Sequence, residues 1–520
     1  MRTRKELLLD IQSEKEWDVV IIGGGASGLG AAVESATRGY KTLLLEQYDF
    51  TIGTSSRSTK LVHGGVRYLA QGDIALVFEA LKERGLLLKN APHLVKNTSF
   101  LIPSYQWWYK PFYTIGLTLY DLLSGRLRFG KSIPCSREKT IKRMPTLQKK
   151  NLRGSILYHD GQFDDSRLGI NLVQTMIENG GTAINYMKVK ELLKDNGSIA
   201  GVVVEDGETG EIHQIKTKIV LNATGVFVDS IIQKDNPKAR NIVKPSQGVH
   251  LVVDGSFLQS DYALMIPKTK DGRVLFAVPW HDKVILGTTD VPKEEALIEP
   301  KATKEEVDFI LETAGRYLEK KPTRKDVKSV FAGLRPLAAP KDDDEKTKEI
   351  SRKHKIITSV SGLISIIGGK WTTYREMGED VVDKLAIQGK LPSKKSVTEE
   401  LHIHGYKEDV DFNNPLYFYG TDAKEIEKLI NKNPGLGEWL SEDLGIKKAQ
   451  IVWAVQNEYA RKVEDFLARR TRVLFLDAKE SIRIAPKVAE VMAKELKYDN
   501  NWVTQQVKDF TKLASGYLLN

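Results

Sequence analysis

The chain has 520 residues, and its 78 lysines and arginines outnumber its 68 aspartates and glutamates, which gives a net charge of +10. At roughly 100 to 200 residues per domain the length predicts about three domains, and 41% apolar residues exclude a disordered, collagen-like or coiled-coil chain. The single cysteine, Cys135, excludes an internal disulfide, a thiolate iron–sulfur cluster and a cysteine zinc site.

Hydropathy along the chain predicts neither export nor a membrane-spanning helix. Residues 1–17 contain no apolar run long enough for a signal-peptide core, and no stretch approaches roughly 20 uncharged apolar residues. The positive charge leaves three kinds of partner open, namely nucleic acid, an anionic membrane surface and an anionic substrate. Local motifs must decide among them.

A strand, a glycine-rich turn and a helix are predicted near the start of the chain. Residues 17–22 form an apolar, largely β-branched run that is typical of a parallel strand buried on both faces. The next residues match G-x-G-x-x-G at Gly23, Gly25 and Gly28, with Ser27 in the same turn. Because the N–H groups of such a turn and the helix dipole bind pyrophosphate, the pattern predicts a dinucleotide site.

An acidic residue follows the second predicted strand, 41–45. Glu46 lies 18 residues after Gly28, where a ribose hydroxyl is bound in dinucleotide folds. A carboxylate there repels a 2′-phosphate, so the pattern disfavours NADP and leaves NAD and FAD open.

Three distant segments are expected to return to the same nucleotide. Residues 54–65 are rich in hydroxyls, cations and glycines, 219–225 form a strand ending in Ala-Thr-Gly, and 363–373 form a strand followed by a helix start. A second helix N-terminus suits a flavin, because reduction builds negative charge on its ring, and therefore favours FAD over NAD. The predicted cofactor-binding residues of these segments are Thr54, Ser55, Ser56, Lys60, His63, Gly64, Gly65, Ala223, Gly225, Gly369, Lys370, Trp371 and Thr372.

Nine motifs along nearly the whole chain carry a family resemblance. They are GGGASG (23–28), TSSRSTKLVHGGVRYL (54–69), YHDGQFDDSRL (158–168), NATGVFVD (222–229), DGRVLFAVPW (271–280), LGTTD (286–290), AGLRPL (332–337), GGKWTTYR (368–375) and FLARRTR (466–472). In this combination the chain resembles the aerobic, FAD-dependent glycerol-3-phosphate dehydrogenases, which have the D-amino-acid-oxidase-like flavoprotein fold.

The expected fold class is α/β, or α+β overall, with three domains and an insert. A discontinuous Rossmann-like FAD domain is predicted over 16–100, 150–240 and 330–390, and an antiparallel substrate-binding sheet over 241–335. From residue 395 to 520 the apolar spacing near 3.6, clearest in 449–468 and 485–496, predicts a helical domain. We expect its Arg469, Arg470 and Arg472 to pair with acids across a domain interface; binding of lipid or nucleic acid is the alternative.

The resemblance implies oxidation of sn-glycerol 3-phosphate to dihydroxyacetone phosphate, with hydride transfer to flavin N5. Arg335, Arg352 and Lys370 are the predicted phosphate ligands, since guanidinium groups pair well with phosphate and Arg335 lies in an apolar segment. His250 is the predicted proton acceptor, assisted at the reacting centre by Arg335 and Lys370. A structural ion pair for Arg335 and a core role for His250 are the alternatives. The residue before His250 is Val249, where the family usually has a small polar residue, so the hydrogen bonds of His250 are expected to differ from those of the family.

The insert 101–149 is a candidate membrane contact. Aromatic residues crowd 105–113, and Arg126, Arg128 and Lys131 follow, a combination typical of proteins that lie on anionic bilayers; an internal aromatic cluster is the alternative. The resemblance implies a quinone acceptor and peripheral attachment, from the cytoplasm, to the inner (cytoplasmic) membrane. A glycerol-3-phosphate oxidase and a related amine or amino-acid oxidase remain alternatives. A homodimer is possible, and neither nucleic acid nor a bound metal is expected.

Overall fold

The computed structural model describes residues 1–65, 73–267, 269, 272–339 and 354–519. Its strands, in chain order, are β1 (Trp17–Ile22), β2 (Thr42–Leu45), β3 (Leu61–Val62), β4 (Val95–Ser104), β5 (Ile133–Cys135), β6 (Gly154–Phe163), β7 (Thr182–Ile184), β8 (Met187–Asp195), β9 (Ser198–Asp206), β10 (Ile212–Asn222), β11 (Val243–Asp254), β12 (Ala263–Ile266), β13 (Leu275–Trp280), β14 (Lys283–Gly287), β15 (Val291–Pro292), β16 (Val327–Ala338), β17 (Lys355–Thr358), β18 (Ile364–Ile367), β19 (Trp439–Ser441) and β20 (Ile446–Lys447). Its α-helices are α1 (Arg4–Ser13), α2 (Ala26–Thr37), α3 (Ile74–Asn90), α4 (Tyr109–Leu123), α5 (Arg137–Arg143), α6 (Asp165–Glu178), α7 (Val228–Asp235), α8 (Lys304–Tyr317), α9 (Tyr374–Gln388), α10 (Ala423–Lys432), α11 (Lys448–Asn457), α12 (Val473–Leu476), α13 (Ala478–Leu496) and α14 (Asn500–Ser515).

The first sheet is the predicted nucleotide-binding sheet. Its order is β17-β18-β10-β1-β2-β7, parallel from β18 to β7, with the β8–β9 hairpin continuing antiparallel from β10. The strands of its centre are buried apart from the half-buried Asp18 near the start of β1, as their largely apolar sequences predict. Helices α2 and α9 cross closely at a glycine contact, since a Cβ on Gly30 would lie 2.4 Å from the carbonyl oxygen of Tyr374.

The second sheet is mainly antiparallel and has the order β15-β11-β14-β13-β12-β4-β6-β3, with β16 on β11 and β5 on β6. The sequence places most of β4 and β6 in the FAD domain, but both lie in this sheet. They pair with each other over their full length, from Val95 opposite Phe163 to Ser104 opposite Gly154, and β12 pairs with β4. The insert 101–149 is thus an extension of the second sheet, through β5 and α4.

The C-terminal region is helical, but the helix predicted over 449–468 is interrupted. Helix α11 ends at Asn457, Tyr459 has a positive φ of 57°, and a π-helical turn spans Asp465–Arg470. The turn directs Arg469 and Arg470 inward, where both bind Asp49; the Nε of Arg469 lies 2.5 Å from the carboxylate.

The arginines of this region pair with buried acids of the nucleotide domain. Besides the two pairs on Asp49, the Nε of Arg472 lies 2.7 Å from the carboxylate of Asp164. The predicted pairing across a domain interface is therefore confirmed, and the mixed α/β class with a helical C-terminal region is confirmed with it. Among the described residues, no helix has the length and hydropathy needed to cross a bilayer.

Candidate functional site

A cavity of about 540 Å³ opens where the carboxyl ends of β1 and β10 face the second sheet. Parallel sheets bind ligands at this edge, because the loops after the strands and the helix N-termini converge there. The cavity has two ends. The nucleotide end is lined by the glycine-rich turn, and the substrate end by residues of β11 and β16 and by residues 288–290, which follow β14.

Close main-chain packing shapes the glycine-rich turn. A Cβ on Gly28 would lie 1.9 Å from the carbonyl oxygen of Gly23, and Gly23 itself has a φ of 110°. Gly25 caps α2 without a side-chain hydrogen bond, and the N–H of Ala26 donates to Ser55 Oγ at 2.9 Å. Gly23, Gly25 and Ser27 line the cavity, while Gly28 lies behind them and allows the turn to close. This cradle fits a pyrophosphate.

Glu46 stands at the end of β2 and lines the nucleotide end. Its Oε2 accepts from the N–H of Gly24 at 2.7 Å and its Oε1 from the N–H of Tyr48 at 2.9 Å. Burial raises the pKa of Glu46. Each carboxylate oxygen keeps a further lone pair, so the side chain could accept a hydrogen bond from a ribose hydroxyl.

The loop of residues 54–65 lines the cavity with only part of its predicted set. Thr54, Ser55, His63 and Gly65 reach the cavity. Ser56 is buried beside it, and the N–H of Gly64 donates to the phenol oxygen of a tyrosine on α4 rather than facing the cavity.

Lys60 is the clear difference from the sequence prediction, since it points away from the cavity. Its ammonium is fully buried and lies 2.7 Å from the carboxylate of Asp165, with another bond to the carbonyl of Ser56. The rings of Trp280, Phe331 and Phe475 surround it at 5.1 to 5.6 Å. A buried ammonium requires such partners, so Lys60 holds the loop in place.

The two other cofactor segments meet this loop across the cavity. Ala223 and Gly225 follow β10, and residues 369–372 precede α9; all of them line the cavity. The indole N–H of Trp371 donates to the carbonyl of Ser55 at 2.8 Å, and the N–H of His63 donates to Thr372 Oγ1 at 3.3 Å. Together with the glycine cradle and Glu46, these segments fit an FAD.

His250 lies on β11 at the substrate end. Its ring is 2% exposed, stacks on Phe331 with centroids 4.9 Å apart, and bonds through Nε2 to Thr59 Oγ1 at 2.9 Å. Among the described residues Nδ1 has no hydrogen-bond partner. Burial, followed by the positive charges of Arg335 and Lys60, holds the pKa of His250 well below its usual value. The ring is therefore neutral and able to accept a proton near neutral pH.

Arg335 lies on β16 and faces the same end of the cavity. Its guanidinium is 24% exposed, donates to the carbonyl of Thr289 at 3.1 Å and lies 3.3 Å from the Asp290 carboxylate. Asp290 therefore orients the guanidinium. Lys370 also lines the cavity, in extended backbone just before the helical turn that starts at residue 371. Arg352 lies outside the described residues.

The sequence places Arg57 in a cofactor segment but assigns no role to several other residues of the substrate end. Arg57 and Thr59 line it, and both belong to the motif at 54–69. Asp290, the last residue of the LGTTD motif, lines the cavity as well. An apolar wall completes the cavity. It is formed by Leu61, Phe100, Tyr158, Met265, Val274 and Phe276. These residues come from five strands or their edges, and no local pattern in the sequence brings them together.

The chain matches known flavoproteins along its length. The profile of the family described as "DAO: FAD dependent oxidoreductase" matches residues 18–375, and that of the "C-terminal domain of alpha-glycerophosphate oxidase" matches residues 364–502. The chain is 37% identical over 557 residues to the mitochondrial glycerol-3-phosphate dehydrogenase of Macaca fascicularis, covering 99% of this chain and 76% of that protein. With the Saccharomyces cerevisiae protein of the same name it shares 36% identity over 592 residues, covering 98% and 91%.

A solved structure shows the same likeness. The glycerol-3-phosphate dehydrogenase from Bacillus halodurans complexed with FAD superposes with a TM-score of 0.81 at 30% identity. The match covers 99% of this chain and 98% of that one.

Proposed function

The chain belongs to the family of FAD-dependent glycerol-3-phosphate dehydrogenases, and we propose that it oxidises sn-glycerol 3-phosphate to dihydroxyacetone phosphate and passes the electrons to a membrane quinone. The observation that carries this proposal is one cavity with a dinucleotide cradle at one end and a neutral histidine beside an arginine at the other. FAD is the cofactor, and when bound it supplies the hydride acceptor.

His250 accepts the proton of the substrate hydroxyl at a ring nitrogen. Its low pKa keeps that nitrogen free of a proton near neutral pH, and the bond to Thr59 with the stack on Phe331 fixes the ring. With the hydroxyl proton held by His250, the substrate carbon would be able to give up a hydride, which a bound FAD would accept.

Arg335 and Lys370 bind the substrate phosphate. Both cations line the cavity, and the guanidinium of Arg335 is already oriented by Asp290 and Thr289. A planar guanidinium can pair with two phosphate oxygens at once, which gives position as well as affinity.

A flavin absorption spectrum tests cofactor and substrate together. Anaerobic addition of glycerol 3-phosphate should bleach the flavin of the purified protein. Arg335→Leu should retain FAD but lose this bleaching at substrate concentrations that saturate the unaltered protein, while Arg316→Leu, on the exposed face of α8, should behave normally. If the apparent affinity for glycerol 3-phosphate were unchanged in Arg335→Leu, Arg335 would not be a ligand of the substrate phosphate.

An exposed apolar stripe on α4 and on the residue that caps it supports access to a membrane quinone. Trp108, Phe112, Ile115, Leu119 and Leu122, here called the docking face, are spaced by four, three, four and three residues and are 43 to 73% exposed. Such an amphipathic surface helix lies in the plane of a bilayer interface, and Arg128 and Lys131 follow it in the chain. We propose that the docking face lies on an anionic membrane.

The inner side of α4 adjoins the apolar wall of the cavity. Leu117 is buried in the same apolar cluster as Phe100, Tyr158 and Met265, which line the cavity. An apolar acceptor that leaves the bilayer at α4 would therefore meet an apolar surface on its way to the cofactor.

Vesicle sedimentation tests the docking face. Ile115→Glu with Leu119→Glu should abolish binding to vesicles that contain phosphatidylglycerol and leave turnover with a soluble acceptor unchanged. Ile212→Glu is the control, since this isoleucine on β10 is 57% exposed, between Leu119 at 43% and Ile115 at 73%. Equal binding of all three proteins would contradict membrane contact through α4.

Oxidation by O2 is the second candidate, because the C-terminal region matches a domain named for alpha-glycerophosphate oxidase. Stopped-flow reoxidation of the substrate-reduced protein separates the two. We expect a soluble quinone to reoxidise the reduced flavin faster than air does. Fast reoxidation by air would show that the protein is an oxidase and not a dehydrogenase.

A further inference from the structure

Two chains of contacts run from the substrate end of the cavity to the last turn of the molecule. The first is polar. Arg57, which lines the cavity and is 5% exposed, forms an ion pair with Glu299, and Glu299 accepts a hydrogen bond from the phenol of Tyr517 at 2.9 Å. Arg57 also donates to the carbonyl of Ala332 on β16 at 3.3 Å. The position of its guanidinium thus depends on Glu299 and Tyr517, which lie 242 and 460 positions later in the chain than Arg57.

The second chain is aromatic. The His250 ring stacks on Phe331, Phe331 meets Phe475 edge-on at 5.0 Å, and Phe475 meets Tyr517 edge-on at 5.8 Å. All four rings are buried. Close-packed rings transmit position, because little free space remains for one to move without the next.

The main chain of Tyr517 is attached to β16 as well. Its carbonyl accepts from the N–H of Val330 at 2.8 Å, beside Phe331. The side chain of Tyr517 is 6% exposed, and burial is the largest cause of the raised pKa of its phenol, which stays protonated and donates. The ring, the hydroxyl and the backbone carbonyl of Tyr517 therefore all contact residues that support the wall of the cavity.

We propose that Tyr517 is a positioning residue for the oxidation of glycerol 3-phosphate, holding Arg57 through Glu299 and the His250 ring through Phe475 and Phe331. The C-terminal region thus forms the back of the substrate end. Arg57 is in turn a further anion-binding residue of that end; among the described residues its Nε has no hydrogen-bond partner. The role of Tyr517 rests on the proposed function, since that function assigns His250 its task.

Two substitutions separate the two chains of contacts. Tyr517→Phe removes only the hydroxyl, and loss of one hydrogen bond to a charged group should raise the KM for glycerol 3-phosphate about 3- to 10-fold with kcat within about 2-fold. Tyr517→Leu also removes the ring and should lower kcat about 10-fold more, because the support behind His250 loosens.

The matched control is Tyr498→Phe. Tyr498 also belongs to the C-terminal region, and its phenol lies 3.3 Å from Arg461, away from the cavity. It should have the kinetics of the unaltered protein. The KM effects of Tyr517→Phe and Glu299→Gln should be non-additive, because both act on Arg57.

A substrate-independent measurement keeps this test separate from the test of function. Inorganic phosphate is titrated into each holoenzyme, and its binding is followed by the flavin absorption shift. Weaker phosphate binding in Tyr517→Phe, with an unchanged melting temperature, supports the proposal even if glycerol 3-phosphate fails to bleach the unaltered protein. Equal phosphate binding and equal KM in Tyr517→Phe, additive double substitution, or an equal effect of Tyr498→Phe would overturn it.

Discussion

The two ends of the cavity are built in different ways. At the nucleotide end the cradle is main chain, formed by one local segment whose glycines lie within a few residues of one another. At the substrate end the lining consists of side chains, and His250 depends on Thr59 and Phe331, which are far from it in the chain.

This difference teaches how tolerant each end should be of substitution. A main-chain cradle fails when an added atom meets backbone, as it would at Gly23 and Gly28, because backbone atoms cannot move aside. A site built from side chains loses activity gradually, because each substitution removes only one contact that orients or charges the site. The predictions below follow this difference from the largest expected effect on the cavity to the smallest.

Gly28→Ala should abolish FAD binding. The added Cβ would lie 1.9 Å from the carbonyl oxygen of Gly23, which is backbone and cannot yield. The flavin absorbance of the purified protein measures the loss. Gly116→Ala, on α4 with no atom within 4 Å of its added Cβ, should retain a full complement of FAD. Retention of FAD by Gly28→Ala would show that the turn can move aside.

His250→Asn should lower kcat roughly 10²- to 10⁴-fold, the usual contribution of a positioned general base. The FAD content should be unchanged, because the residue lies at the other end of the cavity. Rapid anaerobic flavin reduction measures the step directly. A reduction rate within a few-fold of the unaltered protein would assign proton removal to another group.

The kcat/KM of the unaltered protein should decrease on the acid side only well below pH 6.5. Burial, Arg335 and Lys60 lower the pKa of His250, and the neutral ring is the active form, so kcat/KM falls only as pH drops through that lowered pKa. Flavin reduction rates between pH 4 and 8 measure this decrease. A decrease at or above pH 6.5 would contradict this account of His250.

Thr59→Val should lower kcat by roughly 3- to 10-fold, the effect of one lost hydrogen bond. Valine keeps the shape of threonine but cannot bond to His250 Nε2, so the ring loses its polar anchor and keeps its stack on Phe331. Steady-state kinetics at saturating substrate measure the change. An effect as large as that of His250→Asn would mean that Thr59 takes part in the chemistry.

His404→Gln should change stability and leave both ends of the cavity intact. The His404 ring bridges Glu178 at 2.7 Å and Asp422 at 2.8 Å, and the bonds to these carboxylates outweigh burial and raise its pKa to about 9. A raised pKa contributes stability that is complete below pH 6.5 and is lost as pH rises through 9. The substitution should therefore cost about 1 to 3 kcal/mol at pH 6 and almost nothing at pH 10.

Urea unfolding of both proteins at the two pH values measures this difference. The kcat of His404→Gln at pH 7 should equal that of the unaltered protein. A pH-independent loss of stability would show that the bridge acts through shape and not through charge.

Sequence reasoning was most successful where the signal is local. Adjacent residues predict the strand at 17–22 and the glycine turn, and a spacing of 18 residues from Gly28 predicts Glu46, because a strand, a turn and a helix N-terminus each depend on short-range geometry. His250 and Arg335 were found through motifs carried by a family resemblance, and both line the cavity. Their alternatives, a core histidine and an ion-paired arginine, each describe part of what the structure shows.

Long-range packing accounts for what the sequence left out. Lys60 sits in a motif of cofactor residues, yet Asp165 and three aromatic rings from distant segments draw its ammonium inward. The helix predicted over 449–468 ends at Asn457, and a separate π-helical turn brings Arg469 and Arg470 to Asp49 across a domain interface. In both cases a buried charge found its partner only through the tertiary structure.

The sequence by itself determined the dinucleotide cradle from one short motif with strict steric demands, and the family with its FAD cofactor from a combination of motifs along the chain. Only the tertiary structure decided which cations face the cavity, which are buried in ion pairs, and how residues after position 470 support a histidine at 250. The physical reason is that a charge or a ring gains its role from the groups that surround it. Those groups come together only when the two sheets and the C-terminal helices have packed.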